Sequence, residues 1–357
     1  MKKKVLIVVP YMTGYGGTET VIQNLFSEYN KEKPKNYHFK LVSIGGYEHD
    51  NWIKNIDDKV IVNMSGNRLI RTLKYMFTLP FSIPQMLLKE KPSYYISTNP
   101  IMWTIAFFTK KLFKINTEII SWYHYSLKDK PLKKIYLKSA DTYFAISSGI
   151  AKQLVSAGVH SERVRTVFNP INRKDKVVGR TKLGEPVKII YVGRVMLDGQ
   201  KNIRQLFDAL SEVKGNWHLD LYGAGKIDEI KKYAKNKGIL NNLNVIGFKD
   251  KLWDTLDKVD VLVLTSKYEG LPMVLNEAIS VGIPVISSNC ETGPDDIVNK
   301  DNGLIYNLNN TNDLKEKLDK IISRKSGFVD TKVIKDSIDK FYADNYFQNF
   351  LRSLEVD

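Results

Sequence analysis

The sequence predicts an α/β protein of two consecutive doubly wound domains, each a parallel sheet covered by helices. Three observations lead there. The chain has 357 residues, 43% hydrophobic and 26% charged, which suits two ordinary globular domains. Short aliphatic runs alternate with stretches of helical spacing along its length, the pattern of parallel strands joined by helices. That alternation is interrupted once, by the polar run Arg173–Glu185, and then restarts.

The first strand is Val5–Val9, an unbroken aliphatic run. A turn, Gly14-Tyr15-Gly16-Gly17, follows, and then a helix from Thr18 to Phe26 with Val21, Ile22, Leu25 and Phe26 on one face. Further strands are expected at Phe39–Ile44, Tyr94–Ser97, Glu118–Trp122, Thr142–Ala145 and Arg165–Phe168. In the second half, strands are expected at Lys188–Gly193, His218–Tyr222, Asn244–Gly247, Val259–Leu264 and Pro284–Ser287. Helices are expected there at Ile203–Leu210, Ile227–Lys237, Leu252–Asp257 and Pro272–Val281. The aromatic stretch Lys332–Leu354 reads as one closing helix. The domains are thus 1–172, joined by a C-terminal helix at about 338–357 that packs back on it, and 173–337. Two such domains facing each other would form a cleft, with ligands beyond the carboxyl ends of the strands.

Composition narrows the function classes. Met1-Lys2-Lys3-Lys4 before Val5–Val9 suggests a leader, but the apolar run is too short and Tyr11, Thr13 and Gly14 follow at once. No stretch approaches the roughly 18 apolar residues of a spanning helix. The lone Cys290 excludes an internal disulfide and a thiolate metal cluster, so the cytoplasm is the expected compartment. The net charge of +15 is uneven: residues 1–180 hold 29 Lys and Arg against 13 Asp and Glu, and the remainder 25 against 26. The first half therefore calls for an anionic partner, membrane or nucleic acid.

Four constellations carry candidate chemistry. The first is Gly14-Tyr15-Gly16-Gly17-Thr18-Glu19, where glycines before a helix N-terminus let a ligand approach the backbone. It departs from the dinucleotide fingerprint, because Glu19 stands where the last glycine would be, and on its own it is equally a plain tight turn. The second is Gly193-Arg194 followed by Gly199-Gln200-Lys201, two cations beside a helix start that suit a diphosphate or, blandly, a solvated loop. The third is Glu269-Gly270-Leu271-Pro272-Met273 with Glu277 eight residues on, two carboxylates for sugar or ribose hydroxyls; Pro272 fits the first helical position. The fourth is Trp122-Tyr123-His124-Tyr125, in which His124, at a strand end, is placed to touch a ligand or to pack among aromatics. His38, His49, His160 and His218 look incidental. No Asp-x-Asp or His/Asp/Glu cluster offers metal spacing, so no metal is expected and Arg194 and Lys201 would neutralise a leaving diphosphate.

Taken together, the glycine turn with Glu19, the Gly193-Arg194 and Lys201 set and the Glu269/Glu277 pair resemble the retaining glycosyltransferases of family 4, which have the GT-B fold of two Rossmann-like domains. The resemblance covers almost the whole chain. Trp122–Leu127, Ala145–Ile150, Asn169-Pro170, Gly199–Lys201 and Ile283–Cys290 look like the lipopolysaccharide core 1,6-galactosyltransferases, which use UDP-galactose.

That resemblance implies roles. Arg194 and Lys201, beside Gly193, would hold the donor diphosphate, Glu277 the ribose, and Glu269 the hydroxyls of the transferred sugar. Gly270, Leu271, Pro272 and Met273 would line the donor, and Gly247 and Phe248 would read the uracil edge. Gly16 and Gly17 would admit donor and acceptor, His124 would touch the sugar, and Glu19 and Tyr123 would face the acceptor. No cofactor is implied beyond the nucleotide-sugar substrate. The partners implied are a glycan or glycolipid acceptor of the cell envelope and an anionic membrane surface on the basic half, with no nucleic acid. The enzyme would be cytoplasmic and peripheral to the membrane. Other UDP-sugars, UDP-glucose or a UDP-N-acetylhexosamine, remain open as donors. A binding protein without catalysis, for nucleic acid or another anionic surface, is the reading from a different class.

Overall fold

The computed structural model describes residues 2–14, 16–323 and 330–355. Tyr15, in the glycine turn, lies outside the described residues. The chain divides into two compact units, Met1–Pro170 with Ala343–Asp357, and Ile171–Tyr342.

The first unit runs β1 (Lys3–Val9), α1 (Gly17–Glu32), β2 (Tyr37–Gly45), β3 (Lys59–Asn63), α2 (Arg68–Glu90), β4 (Tyr94–Ser97), α3 (Pro100–Phe113), β5 (Glu118–Tyr123), α4 (Lys134–Leu137), β6 (Thr142–Ala145), α5 (Ser148–Ser156) and β7 (Val164–Thr166). Its described strands form one parallel sheet in the order β3-β2-β1-β4-β5-β6-β7. Val5 to Val9 are wholly buried, as a strand covered on both faces must be. Each such side chain contributes about 1.5–3 kcal/mol by leaving water.

The second unit runs β8 (Val187–Val192), α6 (Ile203–Glu212), β9 (Trp217–Tyr222), α7 (Ile227–Asn236), β10 (Leu243–Gly247), α8 (Leu252–Thr255), β11 (Val261–Leu264), α9 (Met273–Ser280), β12 (Val285–Ser288), α10 (Pro294–Ile297), β13 (Gly303–Tyr306), α11 (Thr311–Ile322) and α12 (Thr331–Asp336). Its sheet is also parallel, in the order β10-β9-β8-β11-β12-β13. Strand order reverses at β1/β4 in the first unit and at β8/β11 in the second. Ligands of open parallel sheets bind at such switch points, beyond the carboxyl ends of the strands.

Three details differ from the sequence reading. The polar run Arg173–Glu185 is not a free tether: Val178 is buried and donates to the Val281 carbonyl, and Gly179 bridges Lys258. Polar side chains add to the attachment, Lys174 pairing with Asp254, Lys176 with Asp257 and Glu185 with Lys258, while Thr181 donates to Asp260; a polar run does not reveal such partners because they lie about 80 residues away. Lys332–Leu354 is not one helix. It comprises α12, a 3₁₀ turn at Asp339–Phe341, and a final helix α13 (Ala343–Ser353). Tyr342 between them is extended and bridges Ile171, so the return to the first unit falls at Ala343 and not at 338. Residues 356 and 357 of the expected helix lie outside the described residues. In α13, Phe347 stands 5.9 Å from Phe39, and Phe350 stands 5.7 Å from Trp122 and 5.5 Å from Phe144. Finally, Pro272 precedes α9 as its N-cap and is not its first helical residue.

Candidate functional site

The second switch point is built from three neighbouring strand ends. β8 is followed by Gly193 (φ +153°), a backbone conformation that favours glycine, and the chain loops through Arg194 to Lys201 before α6 begins. Thr265 and Ser266 follow β11, and the loop Lys267–Pro272 leads into α9. Lys201 Nζ and Glu269 Oε1 meet across these loops at 2.6 Å, with side chains only 13% and 11% exposed. The loops are tied further. Thr265 Oγ1 donates to the Lys201 carbonyl at 2.9 Å, and the Lys267 N–H to the Gln200 carbonyl at 2.8 Å. Arg194 donates to Gln200 Oε1, and Gln200 Nε2 to the Tyr268 carbonyl at 3.0 Å.

The structure thus brings Lys201, Glu269, Arg194 and Gly193 to one crevice. A Cβ on Gly193 would stand 3.8 Å from the Lys201 Cε. Thr292, after β12, donates its hydroxyl to the Glu269 carbonyl, and Gly293 packs so closely on Gly270, Leu271 and Pro272 that a side chain there would collide with them. Cys290 is buried beside this loop; burial, then the neighbouring Glu269 charge, push its thiol up to about 12, which leaves it an inert core residue. Glu277, in the second turn of α9 that Met273 opens, accepts from Trp253 Nε1 at 3.1 Å. Burial raises its pKa against the opposing pull of the Trp253 hydrogen bond and Lys174. At the end of β10, Gly247 (φ +89°) accepts from the Gly223 N–H at 2.9 Å, and Phe248 is exposed.

The first switch point is organised differently. Glu19, in the first turn of α1, is buried, and its Oε1 accepts from the Thr13 and Gly14 N–H groups at 3.1 Å and from Thr13 Oγ1 at 3.2 Å. Any side chain on Gly16 would strike the Glu19 carboxylate, whereas a Cβ on Gly17 would meet nothing within 4 Å. Gly17 is the open position of the turn and Gly16 the enclosed one. This corrects the expectation for Glu19: its carboxylate faces inward and holds the turn. Tyr123 is corrected likewise. It is buried, its hydroxyl donates to the Lys130 carbonyl at 3.1 Å, and its ring packs edge-on to Trp103.

His124, one residue beyond β5, packs on Trp122 with ring centroids 4.9 Å apart. The residue is half-buried, but its Nε2 is enclosed and has no hydrogen-bond partner among the described residues. Desolvation pushes the imidazole down to about 3, so it is neutral at ordinary pH and has one nitrogen left to satisfy. The other histidines are unremarkable: His38 pairs with Asp58 and His218 with Asp220. Among the described residues, no group of three or more His, Cys, Asp or Glu is placed to hold a metal ion.

Sequence reasoning missed Trp253, Thr292 and the pair Gly223 and Gly225. A side chain on Gly223 would strike the Gly193 carbonyl, and one on Gly225 the Val195 carbonyl, so both glycines let the β8 and β9 loops touch. A Gly-x-Gly directly after the strand ending at Tyr222 was the available signal. Trp253 and Thr292 offered none, because their roles depend on which loops become neighbours.

Comparison with known proteins places this geometry. Residues 173–333 match the family model described as glycosyl transferases group 1. The chain is 32% identical over 352 residues to the lipopolysaccharide 1,6-galactosyltransferase of Escherichia coli (strain K12), covering 96% of each chain. It is 31% identical over 356 residues to the enzyme of that name from Salmonella typhimurium, covering 97% of each. Among solved structures, it is similar to the apo form of the lipopolysaccharide outer core galactosyltransferase WaaB, with a TM-score of 0.85, 29% identity and 99% of both chains covered.

Proposed function

Since the chain belongs to the group 1 glycosyl transferases and is a glycosyltransferase of GT-B fold, we propose that it moves galactose from UDP-galactose onto a saccharide of the cell envelope, with retention of anomeric configuration. The observation that carries this reading is the Lys201–Glu269 pair at the β8/β11 switch point. A cation and a carboxylate at one crevice match the two ends of a sugar diphosphate. The lysine, with Arg194 nearby, takes the diphosphate as charge builds on it, and the carboxylate takes hydroxyls of the sugar. These two side chains pair with each other; a bound donor would replace the single ion pair by two sets of hydrogen bonds.

Glu277, steadied by Trp253, receives the ribose hydroxyls. The Gly247–Phe248 backbone, at the end of β10, reads the base. Gly17 leaves open space at its turn for the acceptor, and the unpartnered Nε2 of neutral His124 offers one hydrogen bond to a sugar hydroxyl. The reaction needs no metal, because lysine and arginine supply the positive charge. The acceptor hydroxyl attacks the face the diphosphate leaves, and a diphosphate oxygen takes its proton. The enzyme works in the cytoplasm, against the inner face of the membrane.

The test is donor turnover and binding across UDP-galactose, UDP-glucose, UDP-N-acetylglucosamine, GDP-mannose and ADP-glucose, with and without chelator. UDP-galactose is expected to be preferred, with chelator making no difference. Preference for another UDP-sugar would overturn the galactose assignment and leave the crevice roles intact. Binding of none would remove the crevice roles as well.

A further inference from the structure

Helices α2 and α3 of the first unit show an apolar face that the fold leaves uncovered. In α2, Leu69, Leu73, Met76, Phe77 and Phe81 are 76%, 58%, 65%, 73% and 75% exposed. With Pro80 they lie at helical spacing on one face, while Leu79, Ile83 and Leu87 face the core. In α3, which packs beside α2, Ile101, Phe108, Leu112 and Phe113 are exposed as well. No other helix among the described residues exposes more than one large apolar side chain. Water-exposed apolar clusters of this size mark a binding surface.

The charge around this face is of one sign. From Arg68 to Lys91 there are five cations and one carboxylate, Glu90, which is occupied by Lys4 and Lys40. α3 itself carries no carboxylate: its Lys110 pairs with Asp141 at 2.7 Å, and Lys111 and, just beyond the helix, Lys114 stand beside it. A protein partner would fit the apolar face but would also need acidic groups around its whole rim. An RNA would fit the cations, but not the aliphatic Leu69, Leu73 and Leu112. An anionic bilayer meets both, because apolar side chains enter the acyl boundary while lysines and arginines stay among the phosphates. No helix among the described residues is long and apolar enough to cross a membrane, so such a helix lies in the interface.

We propose that the exposed face of α2 and α3 inserts into the headgroup layer of a bilayer containing anionic phospholipid. The face is rigidly joined to the β1/β4 switch point. Tyr75 of α2 donates to the Ile44 carbonyl at 2.7 Å and accepts from the Tyr11 N–H at 2.8 Å, and the Arg71 guanidinium lies 3.7 Å from the Tyr11 ring centre. Tyr11 is two residues before Thr13, which Glu19 holds. Seating α2 in the headgroups therefore fixes the height of the glycine turn above the lipid. This adds a named surface to the proposed peripheral location; it does not depend on which sugar is transferred.

The test uses the full-length protein and sedimentation with vesicles of phosphatidylcholine alone or with about one-third phosphatidylglycerol. Wild type is expected to pellet with the anionic vesicles, and the Phe77→Ser/Phe81→Ser double variant to bind them about tenfold or more weakly. Donor hydrolysis and thermal unfolding of that variant should be unchanged. Leu73→Cys, labelled with a polarity-sensitive dye while Cys290 stays buried, should shift to the blue on anionic vesicles. The proposal is overturned by undiminished binding of the double variant or by an unshifted dye. It is overturned equally by a dimer in light scattering that the double substitution dissolves, or by tighter binding to RNA than to vesicles. A failed donor panel with intact vesicle binding would sink the proposed reaction and leave this surface standing.

Discussion

Two little-exposed carboxylates, Glu19 in the first helical turn after β1 and Glu269 in the loop after β11, stand at the switch points of their respective units, yet their surroundings differ. Glu19 accepts from three donors of its own turn, so its charge is consumed within five or six residues of chain. Glu269 meets a lysine from another loop, 68 residues away in sequence. The first arrangement fixes a backbone shape and leaves Gly17 open. The second holds two opposite charges that a ligand can separate. A nearly buried ion pair stabilises little in itself, because desolvating both charges offsets their attraction, so this pair is better suited to binding than to holding the fold. The comparison teaches that burial and residue type alone do not mark a functional carboxylate; the sequence distance to its partners does.

The largest expected effect tests the second arrangement. Lys201→Ala should lower turnover about a hundredfold through lost stabilisation of the leaving diphosphate. It should also cost about 3–5 kcal/mol of stability by leaving Glu269 buried without its partner. Lys201→Met/Glu269→Gln separates the two effects: urea unfolding should recover towards wild type while turnover stays low. Near-normal turnover in either variant would remove Lys201 from the site. The next effect tests the first arrangement. Glu19→Ala strips three donors of their acceptor and should cost about 1–3 kcal/mol in unfolding free energy, with UDP affinity unchanged. Full stability combined with a raised acceptor KM would reverse the comparison and make Glu19 a substrate residue.

How much of this was legible follows from where each signal lies. The central strands could be read because burial on both faces leaves unbroken aliphatic runs, as in Val5–Val9 and Val261–Leu264. The edge strands β3 and β13 were missed: Lys59–Asn63 is half exposed, and Gly303–Tyr306 opens on a glycine and is only partly buried. α2 was hard to read from the sequence, because Pro80 and Pro84 interrupt its spacing and its exposed face is apolar where a surface helix is ordinarily polar. Of the crevice, Gly193, Arg194, Lys201 and Glu269 were named from loop motifs at strand ends, and the structure brings these four together; Glu277 was named with them from the helix that follows. Glu19 and Tyr123 were named from the same kind of motif, but their orientation is set by Thr13, Gly14 and Lys130, and no spacing rule conveys it.

Glu277 lies between the two cases and gives the smallest expected effect. Its partner, Trp253, is 24 residues away, as for a functional group, but is a neutral donor. Burial holds its pKa above the ordinary carboxylate value. A pKa raised on folding means that the protonated form is the one folding favours. The contribution is complete below the ordinary carboxylate value and is lost as pH rises through the raised one. Glu277→Gln stays neutral throughout. Its unfolding free energy should therefore match or exceed that of wild type at pH 7, by no more than about 1 kcal/mol, and the gap should close on acidification across that window. UDP affinity at pH 7 should nevertheless fall about tenfold, since ribose hydroxyls bond a carboxylate better than an amide. Calorimetric titration with UDP decides the matter. If affinity is lost while stability is kept, Glu277 belongs with Glu269 as a carboxylate held for a ligand. If stability is lost and affinity kept, it belongs with Glu19, and Trp253 is its whole purpose.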